Sequence, residues 1–128
     1  MATVITFGTF DVFHIGHLKL LQRAKQEGTR LVVGVSSDLL NVEKKNRRPV
    51  YGQTARLAIL SALECVDHVF LEESLELKAQ YIQQQRATLL VMGDDWKGAF
   101  DDMPCDVKYL PRTPSVSTTQ IIETIKTS

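Results

Sequence analysis

Short β-branched runs alternate along the chain with segments in which apolar residues recur every three to four positions, a pattern that predicts an α/β fold around a mostly parallel sheet. Thr3–Gly8 (TVITFG) reads as a first strand. Residues 16–27 place Leu18, Leu21 and Ala24 on one helical face with Leu20 beside them, and Gly28 supplies the stop. Arg30–Ser36 (RLVVGVS) is apolar at its centre, as a strand buried on both faces requires. Residues 37–51 read as a polar, cationic loop. Leu57, Ala58, Ile59 and Leu60 mark a helix over 53–64, and VDHVFL over 66–71 a third strand. Ser74 caps a helix expected to run to about residue 85 with Leu77, Tyr81 and Ile82 inward. TLLVMG over 88–93 is a fourth strand and Asp106–Leu110 a shorter fifth. Ser117-Thr118-Thr119-Gln120 has the S-x-x-Q form of a capping box ahead of Ile121, Ile122 and Ile125, which marks the last helix.

This order predicts one domain over residues 1–128, a Rossmann-like, doubly wound parallel sheet of about five strands with helices on both faces. In such a sheet ligands bind beyond the carboxyl ends of the strands, at the point where strand order reverses. The residues to inspect are therefore those after the strands: 9–17, 37–51, 94–100 and 111–119. No internal repeat, low-complexity stretch or linker interrupts the pattern.

Composition narrows the classes. With 15 Lys+Arg against 15 Asp+Glu in 128 residues, the chain lacks the sustained positive field that nucleic-acid coating or polybasic membrane adhesion needs, so neither is expected as a partner. A chain of this length can build its own core without staples. Cys65 and Cys105 are too few for a disulfide framework or a four-cysteine zinc site and are expected to be reduced and structural. No secretory leader pattern and no run of about 18 apolar residues is present, so a soluble cytoplasmic protein without membrane insertion is expected.

The chemistry lies in the loops. After the first strand comes Gly8-Thr9-Phe10-Asp11-Val12-Phe13-His14-Ile15-Gly16-His17, which sets two imidazoles three residues apart at a strand-to-helix turn. There they share one side of a first helical turn with free N–H groups and the positive end of the helix dipole, a site suited to phosphate oxygens. Gly16 lets a ligand approach the backbone. As a bare pair the histidines could also bind a metal, though no third ligand is evident, or be ordinary surface or core residues. Lys44, Lys45, Arg47, Arg48 and Arg56 then follow with no acid among them. Taken alone that run reads as a solvated loop tip, but it follows the second strand of the same switch point and can reach a common anion. Arg112-Thr113-Pro114-Ser115-Val116-Ser117-Thr118-Thr119 offers a guanidinium, hydroxyls and a second helix start. Capping accounts for Ser117 and Thr119, while Arg112 and the remaining hydroxyls suit a phosphate chain. These features converge on a polyphosphate without a Walker lysine motif or G-x-G-x-x-G, which points away from a P-loop kinase or a dinucleotide dehydrogenase. Nor is there a serine elbow or Cys–His pair for covalent catalysis.

Gly8-Thr9-Phe10-Asp11 with His14-Ile15-Gly16-His17, Met92-Gly93-Asp94-Asp95-Trp96, and the 112–119 segment together resemble the cytidylyltransferase branch of the HxGH nucleotidylyltransferase superfamily, over almost the whole chain from Val4 to Ile125. The resemblance implies transfer of CMP from CTP to a small phosphorylated polyol, with glycerol 3-phosphate the expected acceptor and CDP-glycerol and pyrophosphate the products. On the same basis His14 and His17 contact the CTP phosphates and stabilise the transition state, and Thr9 and Phe10 line the nucleotide site. Lys44 meets the acceptor phosphate, Arg47 stands in for a second family lysine, and Lys78 and Arg56 serve the acceptor. Arg112, Thr113, Ser117, Thr118 and Thr119 wrap the triphosphate, while Asp94 and Asp95 lie near the nucleoside. Asp11 with a Mg²⁺ ion bridging phosphate oxygens, and a homodimer, are further implications. Glu64-Cys65 departs from the Arg-Tyr pair that relatives commonly carry before Val-Asp, a charge reversal that bears on the acceptor or the subunit contacts. An adenylyltransferase of the same superfamily acting on a sugar phosphate, and a nucleotide-binding module without catalysis, are the alternatives.

Overall fold

Val, Ile and Leu on both faces of the two central strands demand cover on both sides, and the chain supplies it with helices between successive strands. A computed structural model describes residues 2–111 and 117–127. In chain order it has β1 (Thr3–Gly8), α1 (Ile15–Gln26), β2 (Arg30–Ser36), α2 (Asp38–Lys45), α3 (Gln53–Ser61), β3 (His68–Glu72), α4 (Lys78–Gln84), β4 (Leu89–Gly93), β5 (Asp106–Leu110) and α5 (Thr118–Thr127), with single 3₁₀ turns at Leu75–Leu77 and Asp94–Trp96. All strand pairs are parallel, in the order β3-β2-β1-β4-β5, so the order reverses between β1 and β4.

The pleat of β1 and β2 divides the core. Val4, Leu31, Val33 and Val35 pack with Leu21 and Ala24 of α1 and Leu60 of α3 on one face, while Ile5, Phe7 and Val32 pack with Ile82 of α4 on the other. Gly34 makes room on that second face. A Cβ there would come within 2.5 Å of the Phe7 ring and 2.8 Å of Phe70, whose rings meet edge to face at 5.9 Å across the glycine. Phe7 thereby becomes a floor for the site described below.

β1, β2 and β5 span the residues expected. The third strand begins two residues later than expected, since Val66 closes a turn onto Leu63, and it extends one residue further, to Glu72. The loop expected over 37–51 contains an eight-residue helix, α2, which the charge run conceals. Ser37 caps it by accepting from the Leu40 N–H, and Asn46 ends it in the left-handed conformation at φ 58°. The helix expected from Ser74 opens as a 3₁₀ turn, with Ser74 accepting from the Glu76 N–H, and only then becomes α4. Leu77, expected inward, is 39% exposed, and no described residue of α5 is buried. Cys65 and Cys105 are free, and burial pushes both thiols up, so neither is an activated nucleophile. No helix among the described residues is long and apolar enough to cross a membrane.

Candidate active site

His14 and His17 are built into the start of α1 rather than merely carried on it. His14 is the N-cap residue and His17 the third residue of the helix. The Gly16 N–H donates to His14 Nδ1 at 3.0 Å, and the His14 N–H donates to His17 Nδ1 at 3.2 Å, a capping box made from two imidazoles. A nitrogen that accepts from a backbone N–H carries no proton, so in the neutral form of each ring the proton sits on Nε2. The rings stack at 3.8 Å between centroids, and His17 also meets Phe10 and Phe13. Burial, then the charge of His14, lowers the His17 pKa to about 4, with Lys45 adding to and Asp11 opposing the shift. At neutral pH His17 is an uncharged hydrogen-bond donor at a helix N-terminus, suited to phosphate oxygens and not to general-base work.

The loop before it is strained and braced. Phe10 and Val12 have φ of 54° and 47°, left-handed values that are especially unfavourable for a β-branched residue. Asp11, between them, holds this shape: Oδ1 accepts from the Val12 and Tyr51 N–H groups at 3.0 and 2.8 Å, and Oδ2 from the Val50 N–H at 2.7 Å. Thr118 Oγ1 at the start of α5 donates to the Asp11 carbonyl at 3.0 Å, tying the second helix N-terminus to the first.

Asp11, expected as a Mg²⁺ ligand, is engaged by the backbone through both oxygens, each of which accepts N–H groups. Among the described residues no three His, Cys, Asp or Glu side chains are grouped to hold a metal. Arg56, expected at the acceptor, is 1% exposed and lies outside the cleft lining. Its guanidinium donates to the carbonyls of Tyr51, Thr9 and Ser36 at 2.9, 3.0 and 2.6 Å and to Asp38 Oδ1 at 2.8 Å, so it braces the β1 and β2 loops against α3.

The lysines come from α2 and α4. Lys44 Nζ donates to Ser36 Oγ at 3.0 Å, and Lys45 Nζ to Thr9 Oγ1 at 3.3 Å. Thr9 Oγ1 in turn donates to Asn41 Oδ1 at 2.9 Å. Lys44 is exposed along its length, yet desolvation of its ammonium, followed by the charge of Lys45, pushes its pKa down to about 8. Lys78, from α4, is 4% exposed, pairs with Glu72 at 2.5 Å and lies 3.9 Å from the centre of the Phe7 ring.

All of this opens on one cleft of about 810 Å³ at the carboxyl ends of the strands, where the strand order reverses. Thr9, Phe10, Asp11, His14, Gly16 and His17 line it from the β1 loop. Lys44, Arg47, Lys78 and Asp95 line it from the other strand ends, and Ser117, Thr118 and Thr119 from the start of α5. Asp94 is not among its walls, and Arg112 and Thr113 lie outside the described residues. The Glu64-Cys65 pair borders a separate hollow with Leu18, Gln22 and Lys25 that shares no residue with the cleft. Among the wall residues not singled out from the sequence are Ser36, Asn41 and Glu72. Ser36 and Glu72 are the last residues of their strands, the position from which α/β sheets contact ligands, and that signal was available.

The sheet order, the cleft and its paired imidazole and ammonium donors define a Rossmann-like phosphate-binding fold of the nucleotidyltransferase type. A crystal structure of the lipopolysaccharide core biosynthesis protein from Thermoplasma volcanium has the same fold, with a TM-score of 0.73 at 25% identity, covering 88% of this chain and 97% of that one. The family model described as Cytidylyltransferase-like matches residues 5–124, and the chain belongs to that family. It is 46% identical over 127 residues to the glycerol-3-phosphate cytidylyltransferase of Bacillus subtilis, covering 98% of each chain. It is 38% identical over 123 residues to the protein of the same name from Staphylococcus aureus, covering 94% of this chain and 92% of that one.

Proposed function

We propose that the protein transfers CMP from CTP to glycerol 3-phosphate, giving CDP-glycerol and pyrophosphate. The observation that carries this reading is the pair of stacked imidazoles, held as Nε2–H donors at the α1 N-terminus and lining the same cleft as Lys44, Lys45 and Lys78. Such a site offers two anion subsites, one for a triphosphate and one for a second phosphate.

The reaction asks little acid–base chemistry of the protein. A phosphate monoester with a second pKa of about 6 is already mostly dianionic at pH 7. One of its oxygens attacks the α-phosphorus of CTP in line, a new P–O bond forms, and the bond to the bridging oxygen of pyrophosphate breaks. His14 and His17 donate from Nε2 to oxygens on which charge accumulates, the α1 and α5 N-termini add partial positive charge, and Lys44 with Lys78 holds the acceptor phosphate. Mg²⁺ entering with CTP would supply further positive charge to its phosphates. A homodimer in the cytoplasm is the expected setting.

The test crosses CTP, ATP, UTP and GTP with glycerol 3-phosphate and other phosphopolyols in the presence of Mg²⁺, following pyrophosphate release and identifying the product by mass spectrometry. CDP-glycerol as the fastest-formed product is expected. Folded protein that turns over CTP with no acceptor overturns the reading, and faster turnover with ATP transfers it to adenylyl chemistry. Sedimentation at micromolar concentration tests the dimer.

A further inference from the structure

β2 and β3 end side by side, with Ser36 in register with Glu72, and each of these last residues meets a lysine from a different helix. Glu72 Oε2 accepts from Lys78 Nζ at 2.5 Å. The Ser36 hydroxyl donates at 3.4 Å to Glu72 Oε1 and, sharing its one proton, to the Gly8 carbonyl at 3.4 Å, while Ser36 Oγ accepts from Lys44 Nζ at 3.0 Å. One carboxylate is thereby linked to two ammonium groups, directly to the buried one and through a hydroxyl to the one at the open wall. Glu72 and Ser36 are 1% and 0% exposed, and all four residues border the cleft. One negative charge against two positive ones leaves the group a positive charge in excess where an anion can reach it.

A pair serving only the fold would not need this arrangement. Buried ion pairs contribute little to stability compared with apolar residues of the same shape, and Lys78 already lies against Phe7. The second lysine, Lys44, is exposed and held at its ammonium by Ser36 at the cleft wall.

We propose that Glu72 is the positioning residue of the acceptor subsite, fixing Lys78 directly and Lys44 through Ser36 so that both ammonium groups present themselves to the acceptor's phosphate. This rests on the reading of the cleft as a nucleotidyltransferase site. Glu72 has a second effect on Lys44: burial and the charges of Lys45, Lys78 and Arg56 all press that ammonium to lose its proton, and Glu72 opposes them. For Lys78, burial lowers the pKa and Glu72 again opposes the shift. Without the carboxylate both lysines release protons at lower pH, and the subsite loses charge in the range where the enzyme works.

The experiment compares wild type with Glu72→Gln, Ser36→Ala and the double variant Glu72→Gln/Lys78→Met, which removes the buried unpaired cation in case Glu72→Gln alone does not fold. In Glu72→Gln the acceptor KM is expected to rise about tenfold, the worth of one charge-assisted contact, while the KM for CTP stays within about twofold. The alkaline limb of kcat/KM for the acceptor is expected to move to lower pH. Competitive acylation of lysines across pH, read by mass spectrometry, follows Lys44 without any turnover; its titration is expected to move to lower pH in Glu72→Gln and, less, in Ser36→Ala, and to return towards wild type in the double variant, where the Lys78 charge that opposed Glu72 is gone as well. A Lys44 titration identical to wild type in the single variants, an unchanged acceptor KM, or acceptor and CTP constants that rise together overturns the proposal. If wild type uses no acceptor at all, the proposed function fails and the acylation result alone decides the role of Glu72.

Discussion

Replacing Asp11 by asparagine and by alanine separates a brace from a metal ligand. The carboxylate accepts three backbone N–H groups, from Val12 and Tyr51 on Oδ1 and from Val50 on Oδ2. Asparagine can keep its oxygen on the first two, but its amide nitrogen then faces the Val50 N–H, donor against donor. One charge-assisted bond is lost and one N–H is left unsatisfied, a cost of about 2–3 kcal/mol. Alanine removes all three bonds and releases Phe10 and Val12, whose left-handed backbones cost about 1–3 kcal/mol each to hold. Part of that strain relaxes on release, so the net loss is about 4 kcal/mol. For a chain of this length 1 kcal/mol moves Tm by roughly 4 °C, so Asp11→Asn should melt about 10 °C lower and Asp11→Ala about 15 °C lower. Differential scanning calorimetry measures both, and a Mg²⁺ titration of the residual activity of Asp11→Asn below its melting range supplies the contrast. A brace lowers Tm and leaves the Mg²⁺ concentration for half-maximal rate within about twofold. The reasoning is refuted by a Tm within about 2 °C of wild type together with a tenfold or greater rise in that Mg²⁺ concentration.

Asparagine at His14 should preserve the helix cap, because Asn is a good N-cap residue, and remove the imidazole donor. His14→Asn is therefore expected to melt within a few degrees of wild type while kcat falls by about 10²–10³, and a proportional loss of both would argue against the donor role. The lowered pKa of His17 also sets a pH dependence of stability. Between pH 6.5 and about 4 the unfolded chain binds this proton and the folded chain does not, so stability is full above pH 6.5 and declines as pH falls towards 4. Urea unfolding at pH 7 and pH 5 should show a loss about 2 kcal/mol larger in wild type than in His17→Asn, and equal losses would contradict the buried neutral imidazole. Arg56→Met leaves three carbonyls and Asp38 without their donor and should lose about 3–5 kcal/mol in urea unfolding. A stable Arg56→Met protein with only a raised acceptor KM would instead return Arg56 to the acceptor site.

Much of the frame was legible along the chain because its signals are local. The runs TVITFG, RLVVGVS and DVKYL are strands to the residue, since apolar β-branched stretches declare themselves within five to seven positions. The switch-point rule then pointed to the loop of His14 and His17, which the structure places in the cleft. α2 escaped notice because its eight residues are short for periodicity and carry Glu43, Lys44 and Lys45 on a solvent-facing end, although Ser37 before it is an ordinary cap. Leu77, expected inward, is exposed because helical spacing gives a face, not what covers it.

The α/β class, the end of the sheet that matters and the residue types gathered there are written along the chain. Charge counts balance at 15 against 15, with Glu72 grouped among acids remote from the cations. What each charge does came from folding. It carried Arg56 to carbonyls 47 and 20 positions away and Asp11 to N–H groups 39 and 40 positions away, which commits both to the backbone. It also set Glu72 beside Ser36, 36 positions back, and so moved an acid into the cationic site. The physical reason is one of range. Helix and strand formation depends on neighbours within a few residues, whereas a charged group is assigned by whichever partners folding brings within about 3 Å of it, once burial has removed the water that would otherwise satisfy it.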